Sequence, residues 1–210
     1  MNLSSEARPV TLAGRQMGSH FHACAFFNGC DEQYRVLTPF IQEGLEAGEK
    51  AVHVTDPGQH DCHLEYLTAG GIDARGCCSR GQMDVLTWEQ GYLKDGRFDP
   101  DMMFSLFEAA IAQSEAAGYP RMRIIGHMEW ALEKRPGVER LIEYEARVNA
   151  FLDDKKQPAV CVYDVRRFDA ATLMDVLRTH PLVLIGGTLH ENPFFVPPDE
   201  FLRDLHARAS

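Results

Sequence analysis

The sequence predicts an α/β fold in which a mostly parallel central sheet carries helices on both faces. Short, continuously apolar segments alternate along the chain with longer segments whose apolar residues recur at helical spacing. Strands that are almost free of polar residues are typical of parallel strands buried on both faces. The alternation of the two patterns indicates βαβ units, and therefore a layered α/β architecture.

The first half of the predicted sheet comes from two strands and two helices. Apolar runs predict strands over residues 20–27 and 51–55, and helical spacing predicts helices over 32–47 and 59–69. Pro39 lies inside the first helix, where a missing N–H group should kink or divide it.

The remaining elements continue this alternation. Asp99 followed by Pro100 marks a helix start, because Asp is a good N-cap and Pro suits the first turn. The patterns predict strands over 83–88, 121–126, 159–164 and 182–185, and helices over 99–118, 136–153, 170–179 and from 199 onward.

Composition favours one intracellular domain. We expect residues 1–18 to be a flexible lead and residues 19–210 to form a single domain, because no composition shift divides them. No secretory signal is visible and no apolar run approaches the roughly 18 residues of a membrane span, which predicts a cytoplasmic protein. In that compartment the six cysteines are expected to be free thiols.

The charge balance argues against nucleic acid and membrane partners. The chain has 31 acidic against 21 basic residues, a formal net charge of −10. Binding to nucleic acid depends on basic residues that neutralise phosphates, and anionic membranes attract the same residues. A regulatory role would therefore operate through a separate protein partner.

The first strand and the helix after Pro136 each carry polar residues on an apolar pattern. His22 and Cys24 share one face of the strand, where they could bind a ligand or metal or could simply pack; packing is the preferred interpretation for Cys24. Glu145 falls on the core stripe of the helix, so it either faces a pocket or is paired, with Arg123 as a candidate partner.

Polar residues that follow buried strands predict a ligand site. His127, Glu129 and Trp130 come directly after the strand that ends at Gly126, and Asp56 follows an earlier strand. In open parallel sheets, ligands bind beyond the carboxyl ends of the strands. Trp130 could form a wall of an apolar pocket there, or could pack in the core as a lone Trp usually does.

A second group of metal-ligating residue types has no recognisable metal-site spacing. A His-x-Cys-His run is followed much later by an adjacent cysteine pair, which fits no structural zinc pattern. We interpret these residues as surface or packed side chains: His60, Cys62, His63, Cys77 and Cys78.

Several phrases, taken in order, resemble the MEDS family, the methanogen/methylotroph DcmR-type sensory domain. They cover about residues 19–202. The phrases are HACAFF at 22–27, GLEAGEK at 44–50, GYL at 91–93, GRFD at 96–99, GHMEWAL at 126–132, EYE at 143–145 with Asn149, CVYD at 161–164, His180-Pro181, and NPFFVPP at 192–198.

The resemblance implies a RecA/KaiC-like core and a role in sensing simple hydrocarbon derivatives. Family members usually have a glutamate where this chain has His127. The phosphate loop of a RecA-like core would fall at Asn28–Gln33, which has no lysine and no serine or threonine, so a functional P-loop is absent. Asp31 and Glu32 would also repel phosphate.

These observations predict a non-catalytic sensory domain that binds a small organic ligand, needs no cofactor or metal, and acts through a separate kinase or transcription regulator. The alternatives are a metal- or redox-responsive sensor using His and Cys side chains, an enzyme derived from a nucleotide hydrolase, and a purely structural partner-binding protein. Whether the chain forms a homo-oligomer is left open. The predicted ligand-binding residues are His22, Tyr34, Asp56, His127, Glu129, Trp130, Glu145 and Tyr163.

Overall fold

The computed structural model describes residues 8–208, which form a seven-stranded sheet and a separate two-stranded ribbon. The ribbon pairs β1 with β2, and the large sheet has the order β5-β4-β6-β7-β3-β8-β9. The strands are β1 (Thr11–Leu12), β2 (Arg15–Gln16), β3 (His22–Phe27), β4 (Lys50–Thr55), β5 (Met83–Thr87), β6 (Met122–His127), β7 (Ala159–Asp164), β8 (Leu182–Ile185) and β9 (Thr188–Glu191).

The large sheet is parallel except for β9, which runs antiparallel to β8. Seven α-helices accompany these strands within residues 8–208. They are α1 (Cys30–Glu46), α2 (His60–Ala69), α3 (Ala74–Ser79), α4 (Pro100–Ala116), α5 (Leu141–Lys155), α6 (Ala170–Thr179) and α7 (Pro198–Arg208). None of the helices in this part of the chain is both long and apolar enough to cross a membrane.

Each face of the sheet has its own apolar core. On one face, α4, α5 and α6 pack through residues such as Phe107, Tyr144 and Val176. On the other face, α1 and α2 pack through residues such as Phe40 and Leu67. The predicted α/β class, with a mostly parallel sheet covered on both faces, is confirmed.

Helix α1 runs without division through Pro39. Both Pro39 and Arg35, whose carbonyl group loses its helical partner, lie on the exposed side of the helix. Water can therefore satisfy that carbonyl, while Leu37 and Ile41 hold the buried side against the sheet.

The N-terminal segment differs from the flexible lead that the sequence suggests. Residues 1–7 of that lead lie outside the described residues. The rest forms β1 and β2, and Val10, Leu12 and Met17 are buried in the core on the α1 face. Three apolar residues spread over eight positions give no clear strand or helix period, yet together they cover the end of the core.

The sequence patterns did not predict a short hairpin at the edge of the sheet. Strands β8 and β9 are joined by Gly186 and Gly187, which both have positive φ. Two such residues match the twist of a two-residue hairpin, for which Gly-Gly is a known signal.

A buried ion pair joins the start of β6 to the turn between α1 and β4. The Arg123 side chain donates to Glu49 Oε2 at 2.6 Å and to the Phe40 carbonyl at 2.7 Å. Gly44 makes room for it, since a Cβ there would stand 2.5 Å from Arg123 Cδ. Arg123 therefore has its partners on the α1 face, and the suggested pairing with Glu145 on the opposite face is not formed.

Candidate ligand-binding site

A cavity opens at the carboxyl edge of the sheet. Its floor is formed by the last residues of four neighbouring strands: Phe27 of β3, Thr55 of β4, His127 of β6 and Asp164 of β7. The cavity has a volume of about 260 Å³. This is the edge at which open parallel sheets place their ligands.

Helices α1 and α2 form two walls of the cavity. Tyr34 of α1 stacks on Tyr66 of α2 with ring centroids 4.3 Å apart and planes only 3° from parallel. One turn before each tyrosine, Cys30 and Cys62 also line the cavity. The i, i+4 spacing places each Cys–Tyr pair on one face of its helix.

A hydrogen-bonded chain runs from the cavity wall into the core. The Tyr34 hydroxyl lies 2.6 Å from His63 Nδ1, and His63 Nε2 lies 2.8 Å from His53 Nδ1. A chain in which Tyr34 donates to His63 and His63 donates to His53 satisfies all of these atoms. Strand β4 and helix α2 are thereby fixed to α1 behind the cavity.

The histidines around the cavity are neutral at physiological pH. Burial lowers the pKa of His53 to about 3 and that of His127 to about 4. Burial, together with the neighbouring His53 and His127, also holds the pKa of His63 well below its ordinary value. Burial raises the pKa of Glu129 on the same wall. The histidine side of the cavity thus presents neutral hydrogen-bonding groups, while the charged side chains of the lining are Asp56, Asp164, Arg166 and Arg167.

His127 lies at the centre of this arrangement. Gln33 of α1 lies with its amide nitrogen 3.4 Å from His127 Nε2, and the His63 ring meets the His127 ring edge to face at 5.6 Å. The Asp56 carboxylate accepts a hydrogen bond from the Gly58 amide and opens the turn after β4. The loops after β4 and β6 therefore meet at the cavity, as the sequence suggested.

The segment at the P-loop position is closed to phosphate by the chain's own side chains. The Glu32 carboxylate accepts a hydrogen bond from the Asn28 amide at 2.9 Å, in the turn where a phosphate would bind. Arg166, which packs against Gly29, is engaged by Asp164 at 2.5 Å. The first turn of α1 carries Asp31 as well as Glu32. Neither the residue types nor their partners favour nucleotide phosphates.

The eight predicted ligand residues divide between three places. Four of them line the cavity: Tyr34, Asp56, His127 and Glu129. Trp130 is fully buried in the α4–α5 core, where it stacks on Tyr92 at 4.8 Å and contacts Phe98. The other three, His22, Glu145 and Tyr163, lie together in an interior polar cluster.

That interior cluster is centred on Glu145 of α5, which is wholly buried. The Tyr163 hydroxyl donates to its Oε1 at 2.5 Å, while Oε2 lies 3.4 Å from His22 Nε2 and 3.3 Å from His180 Nε2. Burial alone would raise the pKa of Glu145, but the two facing histidines hold it below its ordinary value. The cluster spans β3, β7, α5 and the residue after α6, and none of its members lines the cavity.

Some cavity residues were not among the predicted ones. Gln33 and Tyr66 gave no motif, and His63 and Cys62 belonged to the run interpreted as surface or packed. The recurrence of Cys and Tyr four residues apart in two successive helices is the signal that could have identified this wall. Cys77 of the same group is on the buried side of α3 and does not line the cavity.

Comparisons with known proteins agree with this architecture. A KaiC-like protein from the archaeon Pyrococcus horikoshii superposes with a TM-score of 0.52 at 14% sequence identity, over 79% of this chain and 69% of that protein. This similarity shows the RecA/KaiC-like fold.

A curated relative is the "Transcriptional repressor DcmR" of Methylorubrum extorquens, which is 27% identical over 176 residues. The match covers 83% of this chain but only 63% of the length of that relative. The family model described as "MEthanogen/methylotroph, DcmR Sensory domain" matches residues 21–181. The chain therefore belongs to the MEDS family of sensory domains.

Proposed function

We propose that this sensory domain is non-catalytic, binds a small and weakly polar organic molecule in the cavity at the carboxyl edge, and signals through a separate protein. The observation that carries the proposal is the cavity wall itself. Two stacked tyrosines, Tyr34 and Tyr66, offer an apolar surface, and neutral His127 and Gln33 offer hydrogen bonds beside it. An apolar wall with a few convergent polar groups is the usual composition of a small-molecule site.

The size of the cavity supports a small ligand. A cavity of ~150 Å³ can hold benzene, whereas sites for drug-sized ligands start at roughly 300 Å³. The volume of about 260 Å³ lies between these values. A hydrocarbon derivative of a few carbon atoms fits this range.

The chemistry of the cavity argues against catalysis. Burial and the neighbouring Cys62 raise the pKa of the Cys30 thiol, which opposes formation of a nucleophilic thiolate. The P-loop position is occupied by the Glu32 carboxylate. Phosphoryl transfer and thiol catalysis are therefore both disfavoured.

The position of the cavity between elements supports a signalling role. A ligand there would contact α1, α2 and the loops after β6 and β7 together, so binding favours one arrangement of these elements over others. The acidic surface disfavours direct binding to DNA. The output therefore goes to a protein partner, such as a kinase or a transcription regulator.

The experiment is a binding screen with a variant that fills the cavity. The chain is titrated with short-chain alcohols, amines and haloalkanes, and binding is followed by native mass spectrometry and thermal denaturation. Cys62→Phe places a ring in the cavity, whereas Thr68→Phe adds the same ring on an exposed part of α2 that does not line it.

We expect at least one compound to stabilise the wild type and Thr68→Phe but not Cys62→Phe. Equal stabilisation of all three proteins would place binding elsewhere. No binding of any compound would contradict the proposed ligand class.

A further inference from the structure

We propose that the interior cluster of His22, Glu145, Cys161 and His180 is a binding site for a divalent transition metal of the zinc class. The four ligand atoms, two imidazole nitrogens, one thiol sulfur and one carboxylate oxygen, all lie within 4.8 Å of one another. All four residues are buried. The site lies apart from the cavity and does not depend on the proposed ligand.

Four of the six distances between the ligand atoms are close to the edges of a tetrahedron around such a metal, and the other two lie within 4.8 Å. Zinc bonds of about 2.0–2.1 Å to nitrogen and oxygen and about 2.3 Å to sulfur separate neighbouring ligands by roughly 3.3–3.6 Å in a set with one sulfur. In the cluster, His22 Nε2 lies 3.3 Å from Cys161 Sγ and 3.4 Å from Glu145 Oε2. Glu145 Oε2 lies 3.7 Å from Cys161 Sγ and 3.3 Å from His180 Nε2.

The surrounding hydrogen bonds orient the lone pair of His22 into the site. Its Nδ1 lies 3.0 Å from Asn149 Oδ1. The Asn149 amide nitrogen donates to the carbonyls of Glu145, Ala146 and Thr179, so its oxygen must be the atom that faces His22. His22 therefore carries its proton on Nδ1 and leaves Nε2 as a bare acceptor.

His180 is oriented in the same way. Its Nδ1 lies 2.8 Å from the Val176 carbonyl oxygen, which can only accept, so the proton is on Nδ1. Metal-binding histidines usually have this arrangement, in which the second ring nitrogen donates to a carbonyl or carboxylate oxygen.

One nitrogen at the centre of the cluster has no hydrogen-bond partner among the described residues. Both Nε2 atoms face one oxygen of the Glu145 carboxylate, and Tyr163 donates to the other oxygen. The Cys161 thiol has one proton to give, and its nearest acceptor is His22. His180 Nε2 is left buried with no hydrogen-bond partner among the described residues. A buried nitrogen without a partner is costly, and a metal ion bound to all four atoms would supply one.

The ligand set indicates the class of metal and its role. Imidazole, thiolate and carboxylate together suit zinc, and cobalt(II) can replace it as a probe. Four protein ligands and full burial leave no open coordination position, which is typical of a structural site. Binding would displace the Cys161 proton to solvent and join β3, β7, α5 and the end of α6.

The test uses the full chain without an affinity tag, purified without chelators. Elemental analysis should find stoichiometric zinc or a similar metal. After the metal is removed, cobalt(II) should give a thiolate-to-cobalt charge-transfer band. Cys161→Ser should lose this band, whereas Cys24→Ser should keep it, because Cys24 is an equally buried thiol on the adjacent strand and is not a ligand.

His180→Gln provides a second, independent variant. Loss of a ligand should weaken metal binding by roughly tenfold or more in competition with a chromophoric chelator, since loss of outer-shell partners alone costs that much. A folded wild-type protein that contains no metal and takes up neither zinc nor cobalt during refolding would overturn the proposal. A cobalt thiolate band that survives in Cys161→Ser would overturn it as well.

Discussion

Acidification should destabilise this domain well before its carboxylates titrate. His53 and His127 are neutral in the folded state, with pKa values of about 3 and about 4, against an ordinary value of 6.5. Below pH 6.5 these two histidines bind protons in the unfolded chain, whereas in the folded chain they stay neutral. The stability that the neutral histidines contribute is therefore complete above pH 6.5. It is lost as the pH falls toward the pKa values that they have in the folded state.

The size of the effect follows from these shifts. Each pH unit below 6.5 costs about 1.4 kcal/mol per neutral histidine, so at pH 5 His53 and His127 together lower the free energy of unfolding by about 4 kcal/mol. His63, whose pKa is also lowered, adds to this loss. Domains are stable by only about 5–15 kcal/mol, so a loss of this size should be clear in urea unfolding curves at pH 7 and pH 5.

A variant separates the histidines from other titrating groups. His127→Gln keeps a polar side chain in the cavity but removes one imidazole, so it should reduce the loss between pH 7 and pH 5 by about 2 kcal/mol. Cys62→Ser changes the same cavity without removing an imidazole and should leave the loss unchanged. A free energy of unfolding that is equal at pH 7 and pH 5 would refute the claim that the histidines around the cavity are neutral in the folded state.

Three further predictions concern packing and hydrogen bonds, and each is measured as a change in the free energy of unfolding at pH 7. Tyr163→Phe removes the donor to the buried Glu145 carboxylate and should cost about 1.5–3 kcal/mol, the range for hydrogen bonds to charged groups; no change would mean that Glu145 is satisfied without it. Gly44→Ala places a methyl group 2.5 Å from Arg123 Cδ and should cost about 1–3 kcal/mol, and an unchanged stability would show that Arg123 has room to move. Trp130→Ala should cost about 3–5 kcal/mol because the ring is fully buried, whereas a stable variant with impaired ligand binding would return Trp130 to the cavity.

Sequence periodicity predicted the layers of the fold because parallel strands that are buried on both faces consist of continuous apolar residues. Residues 159–164 and 182–185 matched β7 and β8 in both bounds. Elements whose stability depends on tertiary packing were harder to predict from the sequence. The β1–β2 ribbon has only a few apolar residues without a period, and α3 is a single short helix held by Cys77 and Ala74 in the core.

The candidate site was predictable where a general rule connects chain position to space. His127, Glu129 and Asp56 directly follow strands, so the carboxyl-edge rule placed them at the cavity. No such rule applied to Glu145, which projects from α5. Its partners His180 and His22 are distant along the chain, and only the packing of α5 against β3 and the end of α6 brings them within 3.5 Å.

Histidine side-chain NMR tests most directly whether the cavity at the carboxyl edge binds a small organic molecule. The protein is labelled at histidine with nitrogen-15 and titrated with short-chain alcohols, amines and haloalkanes. We predict that a binding compound shifts the signals of His63 and His127, which line the cavity, and leaves those of His22 and His180 in place. If no compound moves His63 or His127, or if only the interior histidines respond, the cavity is not the sensing site.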